Sequence, residues 1–369
     1  MKQRVLWACL SLAICVAVIS VWRAVAARRT SPTYSAHWSQ QKAAAYLDSR
    51  EVWWREWPPA QRDHGTFCIS CHTVVPYAMA RSTLRTELGE TGMAAPEKIM
   101  VDNVEKRVSH WSEMAPYYSD AIDGPGKTAQ SRATEAVLNA VILASYDARQ
   151  GHLRPITRTA FDNAWALQQN SGGWQWQDFD LAPWESAQSA YQGAALFLFE
   201  VGNAPDHYAT EPEVQKRAER LRAYLRQQYA TQPFMNKLYV LWASTKVDGL
   251  LTNDESTALL YTLQNAQQDD GSWKLSLFEI PKRSVRSLLP SPSDGLVTSL
   301  VVLVMEETNI SPTNSTLKRG LAWLDQHQET DGNWPASSMN ERRDPKSDIG
   351  RFMSDAATGF AVLALEKAK

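Results

Sequence analysis

Cys68, Cys71 and His72 are the residues whose types and spacing could do chemistry together. They lie in Phe67-Cys68-Ile69-Ser70-Cys71-His72, the Cys-x-x-Cys-His pattern of a c-type haem attachment site. Two thiols at this spacing can form two thioethers to one edge of a porphyrin, and the next side chain then brings an imidazole nitrogen to the iron. The expected cofactor is one haem c, bound covalently by Cys68 and Cys71 with His72 as proximal ligand. Three other chemistries use the same residues. The thiols could be a redox dithiol with His72 lowering a thiol pKa, or they could form a disulfide. Zinc fits less well, because a structural site takes four ligands and no second cysteine pair follows.

A second axial ligand would approach the iron from the face opposite His72. Met79 follows on the same side of the same helix, which leaves Met114 and Met353 as the better placed candidates and His110 as a further option. Methionine there would raise the potential and suit electron transfer, whereas an open position would suit binding or activation of a small molecule. Each of these methionines has a plainer reading as a filler of gaps in a core.

The elements that must hold these residues come from the rest of the chain. It has 369 residues with a net charge of -2 and 44% hydrophobic residues, enough apolar material for one large domain. Near-neutral charge gives no electrostatic footprint for nucleic acid. Of the four cysteines, Cys9 and Cys15 lie in the N-terminal apolar run, so the remainder is not a disulfide framework. Lys2 and Arg4 precede an apolar run from Val5 to Trp22, and Arg23, Arg28 and Arg29 follow it. Residues 1–29 therefore read as a signal anchor or signal peptide, with the anchor favoured by the length of the run. The expected location of residues 30–369 is periplasmic and inner membrane-anchored, where bacteria attach haem to such motifs and where a redox partner would be met.

Internal repetition organises residues 30–369. The segments Trp165–Trp174, Leu263–Trp273 and Trp323–Trp334 each run from an amphipathic helix through Gln to Gly and Trp. Each leads to a strongly apolar helix, at Glu185–Gly202, Ser293–Glu307 and Ser354–Ala368. Two pairs lack the Gly-Trp ending: Pro96–His110 with Ser131–Arg149, and Pro212–Tyr229 with Phe234–Lys246. Tyr46–Pro58 aligns without gaps on Trp323–Pro335, so Trp57 is expected to correspond to Trp334. The haem motif, in an insertion at about 60–75, then leads to an apolar helix at Thr73–Leu88. Six pairs of polar-outer and apolar-inner helices predict an all-α fold, an (α/α)6 toroid preceded by a membrane-anchor helix.

The repeat resembles the QW motifs of the squalene–hopene cyclase and prenyltransferase superfamily of α/α toroids. In that superfamily Gln and Trp tie outer-helix ends to the next inner helix. The resemblance therefore implies structural clamps at Gln168 with Trp174, Gln267 with Trp273, and Gln328 with Trp334. It also implies a toroid cavity that could take a hydrophobic small molecule. Cyclase chemistry itself is unsupported: no Asp-x-Asp-Asp cluster is present, since Asp269-Asp270 belongs to a clamp and Asp178 and Asp180 lack a third member. A prenyltransferase zinc set would need a cysteine outside the haem motif. The combination of a Cys-x-x-Cys-His motif with such a toroid resembles a group of bacterial proteins that implies an architecture and a cofactor but no reaction.

The expected function is that of a monohaem c-type cytochrome-like protein, in electron transfer or haem-dependent redox chemistry, with no catalytic residue assigned. The alternatives are a terpenoid or prenyl-lipid enzyme and a non-catalytic binding scaffold. Glu135, Glu185, Asp294 and Asp355 open the inner helices and could line the cavity mouth, although carboxylates in a first helical turn are favoured there by the helix dipole. Trp53, Trp54 and Trp57 could pack on a porphyrin.

Overall fold

The computed structural model describes residues 37–278, 293–308 and 310–369. The anchor expected in residues 1–29 lies outside them, and among the described residues no helix is long and apolar enough to cross a membrane. The fold is all-α. Thirteen α-helices are described, one of them the single turn Asp120–Asp123. A two-residue antiparallel pairing, Gln61–Arg62 with Thr66–Phe67, is the one named sheet.

The twelve longer helices alternate in character along the chain. Six have one polar face: α1 (Gln40–Glu56), α3 (Ala95–Ser109), α5 (Pro155–Ala166), α7 (Pro212–Gln228), α9 (Asn253–Ala266) and α11 (Ser315–Gln326). The other six are α2 (Val74–Glu87), α4 (Lys127–Gln150), α6 (Ser189–Asn203), α8 (Phe234–Ala243), α10 (Gly295–Glu307) and α12 (Phe352–Lys367). These are buried along most of their length, so in α10 every residue from Gly295 to Met305 is buried. A helix that is apolar all round must be covered all round. The contacts supply that cover in a cycle. The inner helices touch in the order α2, α4, α6, α8, α10, α12 and back to α2. Each outer helix lies on the inner helix before it, α3 on α2 and so on, and α1 completes the circuit on α12.

Local chemistry starts these helices where the pattern predicts. Ser39, Asp294 and Asn314 cap α1, α10 and α11, and Thr252 with Glu255 forms a capping box on α9. Pro96, Pro155 and Pro212 occupy the first turns of α3, α5 and α7, where no backbone N–H is needed.

The clamps form, with different partners from those expected. The Gln168 amide donates to Gly172 O (2.9 Å) and to Arg217 O (3.1 Å); Gln267 donates to Gly271 O (2.8 Å) and Thr316 O (2.8 Å). Gln328 donates to Gly332 O (3.0 Å) and Ser39 O (3.1 Å). Arg217, Thr316 and Ser39 all belong to the start of the next outer helix, not an inner one. A Gln at an outer-helix end reaches its outer neighbour's backbone, where Gln328 Oε1 accepts from the free Ser39 N–H and its amide shares Ser39 O with Ala43 N. The Trp makes the inner-helix contact instead: the Trp273 and Trp334 backbone N–H groups donate to Thr298 and Thr358 of their own inner helices, both at 3.1 Å. Each indole N–H returns to its own outer helix, at Ala164 O, Leu263 O and Leu324 O. The clamp glycines are fixed by space as well as by φ. A Cβ on Gly332, at φ +100°, would lie 2.2 Å from Lys42 O in α1.

The alignment of Trp57 with Trp334 does not hold in three dimensions. Helix α11 ends at Gln326 and Trp334 lies in the turn beyond it, whereas α1 continues to Glu56 and Trp57 is its C-cap. Pair six has Asp331-Gly332 to break the helix; the matching stretch of α1, Val52 to Glu56, has no breaker.

Candidate functional site

The connections that lead into the inner helices are mostly long, and they meet over one mouth of the ring. Residues 57–73, carrying the motif, lie there with 167–188 and 327–351. Asn340 donates to Ala182 O (2.8 Å), and Ser337 N donates to the Asp294 carboxylate (2.7 Å), joining connections from distant pairs.

The motif backbone is tied down on both sides. Phe67 exchanges two hydrogen bonds with the Asn103 side chain, at 2.9 and 3.1 Å, and Cys68 N donates to Ala60 O (2.9 Å). The Trp54 indole donates to Cys68 O (2.8 Å). Ser70 Oγ accepts from Thr73 N (3.2 Å) and Val74 N (3.1 Å), so a residue inside the motif caps α2. Cys68 and Cys71 are free thiols. Burial pushes the Cys68 thiol up to about 12 and holds Cys71 well above its ordinary value, so neither is a ready thiolate in this arrangement.

His72 is the best defined group of the three. Its Nδ1 lies 2.8 Å from Thr73 Oγ1, which donates its one proton to Asp355 Oδ2 at 2.7 Å. The hydroxyl must therefore accept from His72, which places the ring proton on Nδ1 and leaves the Nε2 lone pair uncommitted. Burial, with Arg50 and Arg343, pushes the imidazole down to about 3, so the ring is neutral near pH 7. Asp355 is fully buried and holds Arg50 Nε (2.8 Å) and the Tyr46 hydroxyl (2.8 Å) as well as Thr73. Aromatic rings enclose the imidazole. Phe352 stacks on it with centroids 3.8 Å apart, Trp54 meets it edge-on at 5.1 Å, and Trp184 is 5.9 Å away.

The other candidates fall as follows. Met114 is buried in the connection after α3, its carbonyl held by Arg132. Met353 is buried at the start of α12, next to Phe352, and it is Phe352 that covers the His72 ring. His110 is exposed beside Glu113. Trp53, Trp54 and Trp57 form one aromatic cluster with Phe352. Of the four carboxylates expected to open inner helices, Asp294 caps α10 and Asp355 lies in the first turn of α12, whereas Glu135 lies two turns into α4, which starts earlier at Lys127, and Glu185 lies in the connection before α6. Glu135 instead pairs with Arg107 at 2.5 Å, both fully buried, and Asp355 orders His72. Burial pushes Glu185 up to about 7, with Lys127 and Arg343 opposing, and its charge is felt at both thiols.

Beneath the connections the motif end of the ring interior is closely packed. Trp176 lies across Gly193, where a Cβ would come within 2.2 Å of the indole. A cavity of about 30 Å³ remains, lined by Cys71, Met79, Trp184, Gln192 and Tyr239 among others. That is space for roughly two waters.

The donor set fits a c-type haem. Among the described residues no three His, Cys, Asp or Glu side chains converge into a cage for a bare metal ion. A c-type haem needs one nitrogen from this motif, and His72 Nε2 is the atom that would offer it. The ring interior beside Cys71 has no room for a macrocycle, so the fit rests on the rim.

No family model matches the chain, and no curated protein sequence does. Among solved structures it is similar to a wild-type glycosidase at 11% identity, covering 89% of this chain and 97% of that one, with a TM-score of 0.52. Two variant structures described as glycosidases give TM-scores of 0.51 at 10% and 11% identity over the same shares. At such identity the likeness is one of fold alone.

Proposed function

We propose that this chain is an (α/α)6 toroid of six helix pairs carrying one haem c on its motif-side rim, and that it works in electron transfer or haem-dependent redox chemistry. Cys68 and Cys71 would hold the group covalently and His72 Nε2 would be the proximal ligand. The haem would supply a one-electron couple. Thr73 and Asp355 fix the imidazole's tautomer and direction and raise its basicity as a ligand. Arg50 balances the buried Asp355 charge, and Phe352 and Trp54 keep water from the ring. Met114 and Met353 remain the candidates for a second axial ligand. The N-terminal run would anchor the protein on the periplasmic face of the inner membrane, near a redox partner. The observation that carries this reading is the relay from His72 Nδ1 through Thr73 to Asp355, which frees Nε2 beside two free cysteines. The 30 Å³ cavity beside Cys71 is too small for a terpenoid substrate.

The test is co-expression with a c-type haem maturation system, then a pyridine haemochrome spectrum of the denatured protein. A c-type α band that stays with the polypeptide, and is lost in the Cys68→Ala/Cys71→Ala double variant, is expected. A colourless polypeptide would overturn the reading.

A further inference from the structure

The opposite mouth of the ring, formed by the C-terminal ends of the inner helices, encloses a second and larger cavity of about 410 Å³. That is within the usual range for a small-molecule pocket, roughly 300–1,000 Å³. Phe199 and Trp242 form an aromatic part of its wall, their rings 4.9 Å apart. Glu87, Glu307 and Glu366 also line it, and each has a cation: Glu307 has Lys367 at 3.0 Å, and Glu366 and Glu87 share Lys369 at 2.8 and 3.5 Å.

The cations Arg149 and Lys246 are different. Arg149 donates to Met79 O (3.3 Å) and Lys246 lies 5.9 Å from the Phe199 ring centroid. Among the described residues neither has a carboxylate at ion-pair distance. Cations near helix C-termini offset the negative end of the dipole, which accounts for where these two stand. It does not account for two further groups on the same wall. The Trp242 indole N–H and Glu200 Oε2 are buried without a hydrogen-bond partner, in residues only 3% and 1% exposed. Such groups are costly unless something meets them.

We propose that this mouth binds a small organic carboxylate with an apolar tail, its anionic end between Arg149 and Lys246 and its tail against Phe199 and Trp242. The Trp242 N–H then donates to a ligand oxygen. Burial pushes the Glu200 carboxyl up to about 8 against the pull of Asn203, Arg149 and Lys246, so near pH 7 it too carries a proton to donate. Trp242 and Glu200, with the likewise unpartnered Thr83 hydroxyl, thus offer donors to an acceptor-rich anion. The site is independent of the motif and of any haem on it.

The experiment is calorimetric titration of the full-length protein with 4-phenylbutyrate, 4-phenylbutanol and 4-phenylbutylamine. Only the carboxylate is expected to bind, and Arg149→Gln or Lys246→Gln should each weaken it about tenfold, the value of one charge-assisted hydrogen bond. Lys246 is exposed, so its variant tests the charge without disturbing the fold. Trp242→Phe keeps the wall and removes the donor, and a smaller loss is expected. The proposal is overturned if the alcohol or amine binds as well as the carboxylate, if carboxylate binding is unchanged in both charge variants, or if the carboxylate shows no binding at millimolar concentration.

Discussion

The two mouths of the ring are built from opposite ends of the same six helices, yet they share almost no chemistry. At the motif mouth, long connections fold over the opening and bring rings and thiols inward. Two buried ion pairs stand there, Arg50 with Asp355 and Arg107 with Glu135, and the cavity beside Cys71 is about 30 Å³. At the far mouth the connections 88–94 and 151–154 are short, and the helix ends themselves line an open cavity of about 410 Å³. The helix dipole sorts the charges. Asp294 and Asp355 sit in first turns, while Lys367 sits in a last turn beside the unpaired Arg149. Helices alone thus leave an open polar well, and a closed, dry site requires loops long enough to cross the opening.

This contrast can be broken by substitution. The largest effect is expected at the closed mouth. Asp355→Ala removes one of the two carboxylates on buried Arg50, leaving Asp348, and strips Tyr46 and Thr73 of their acceptor, so it should cost about 3 kcal/mol in denaturant unfolding. The parallel change at the open mouth, Glu307→Ala, breaks a partly exposed pair and should cost about 1 kcal/mol or less. Similar losses from the two would mean that the mouths are equally buried.

A smaller difference should separate two glycines in left-handed conformation. Gly332→Ala meets Lys42 O as well as unfavourable φ and should cost about 2–4 kcal/mol. Gly89→Ala, at φ +66° with nothing within 4 Å, should cost only the conformational part, about 1–2 kcal/mol. Equal costs would show that clamp contact adds nothing.

The smallest effect is in pH dependence. Glu200 at the open mouth is pushed to about 8 from an ordinary value of 4.5. The folded state then holds a proton that the unfolded chain has lost, so stability falls as pH rises between these values. His72, pushed down to about 3, contributes in the opposite sense, but only below about 6.5. Between pH 6.5 and 8 the melting temperature should therefore fall, with Glu200 contributing on the order of 1–2 kcal/mol. Glu200→Gln should reduce that slope, leaving the share of Glu51, which burial also pushes up to about 8; an unchanged slope would remove Glu200 as a source.

Much of the fold is legible in the sequence because helix pairing follows from apolar periodicity and caps, both local. The inner helix read at Phe234–Lys246 runs Phe234–Ala243, and that read at Thr73–Leu88 runs Val74–Glu87. The clamp positions are legible from Gln, Gly and Trp, but their partners are not. Gln328 finds Ser39 from the far end of the chain, a contact set by ring closure. The same holds at the motif. Cys68, Cys71 and His72 stand out by spacing, whereas Asp355 reads as an ordinary first-turn carboxylate until the ring brings it under Thr73. The far cavity is silent in sequence because Glu200 and Trp242 lie on apolar helices whose bulk reads as core. The in-register match of Trp57 to Trp334 shows the converse hazard, since the likeness of letters ran past the point where one helix breaks and the other continues.

Gln328, Asp348, Phe352 and Asp355 all come from the final helix pair, although they complete a site begun near the start of the chain. A ribosome makes them long after the motif. Throughout elongation Cys68, Cys71 and His72 can already have emerged while the ring that buries them is still missing one-sixth of its wall. Any enzyme that modifies these thiols has that interval in which to act. Once the final pair docks, Phe352 and Trp54 lie against the His72 ring and Cys68 is buried, while Cys71 stays partly exposed, so ring closure narrows access to the motif unequally for its two thiols.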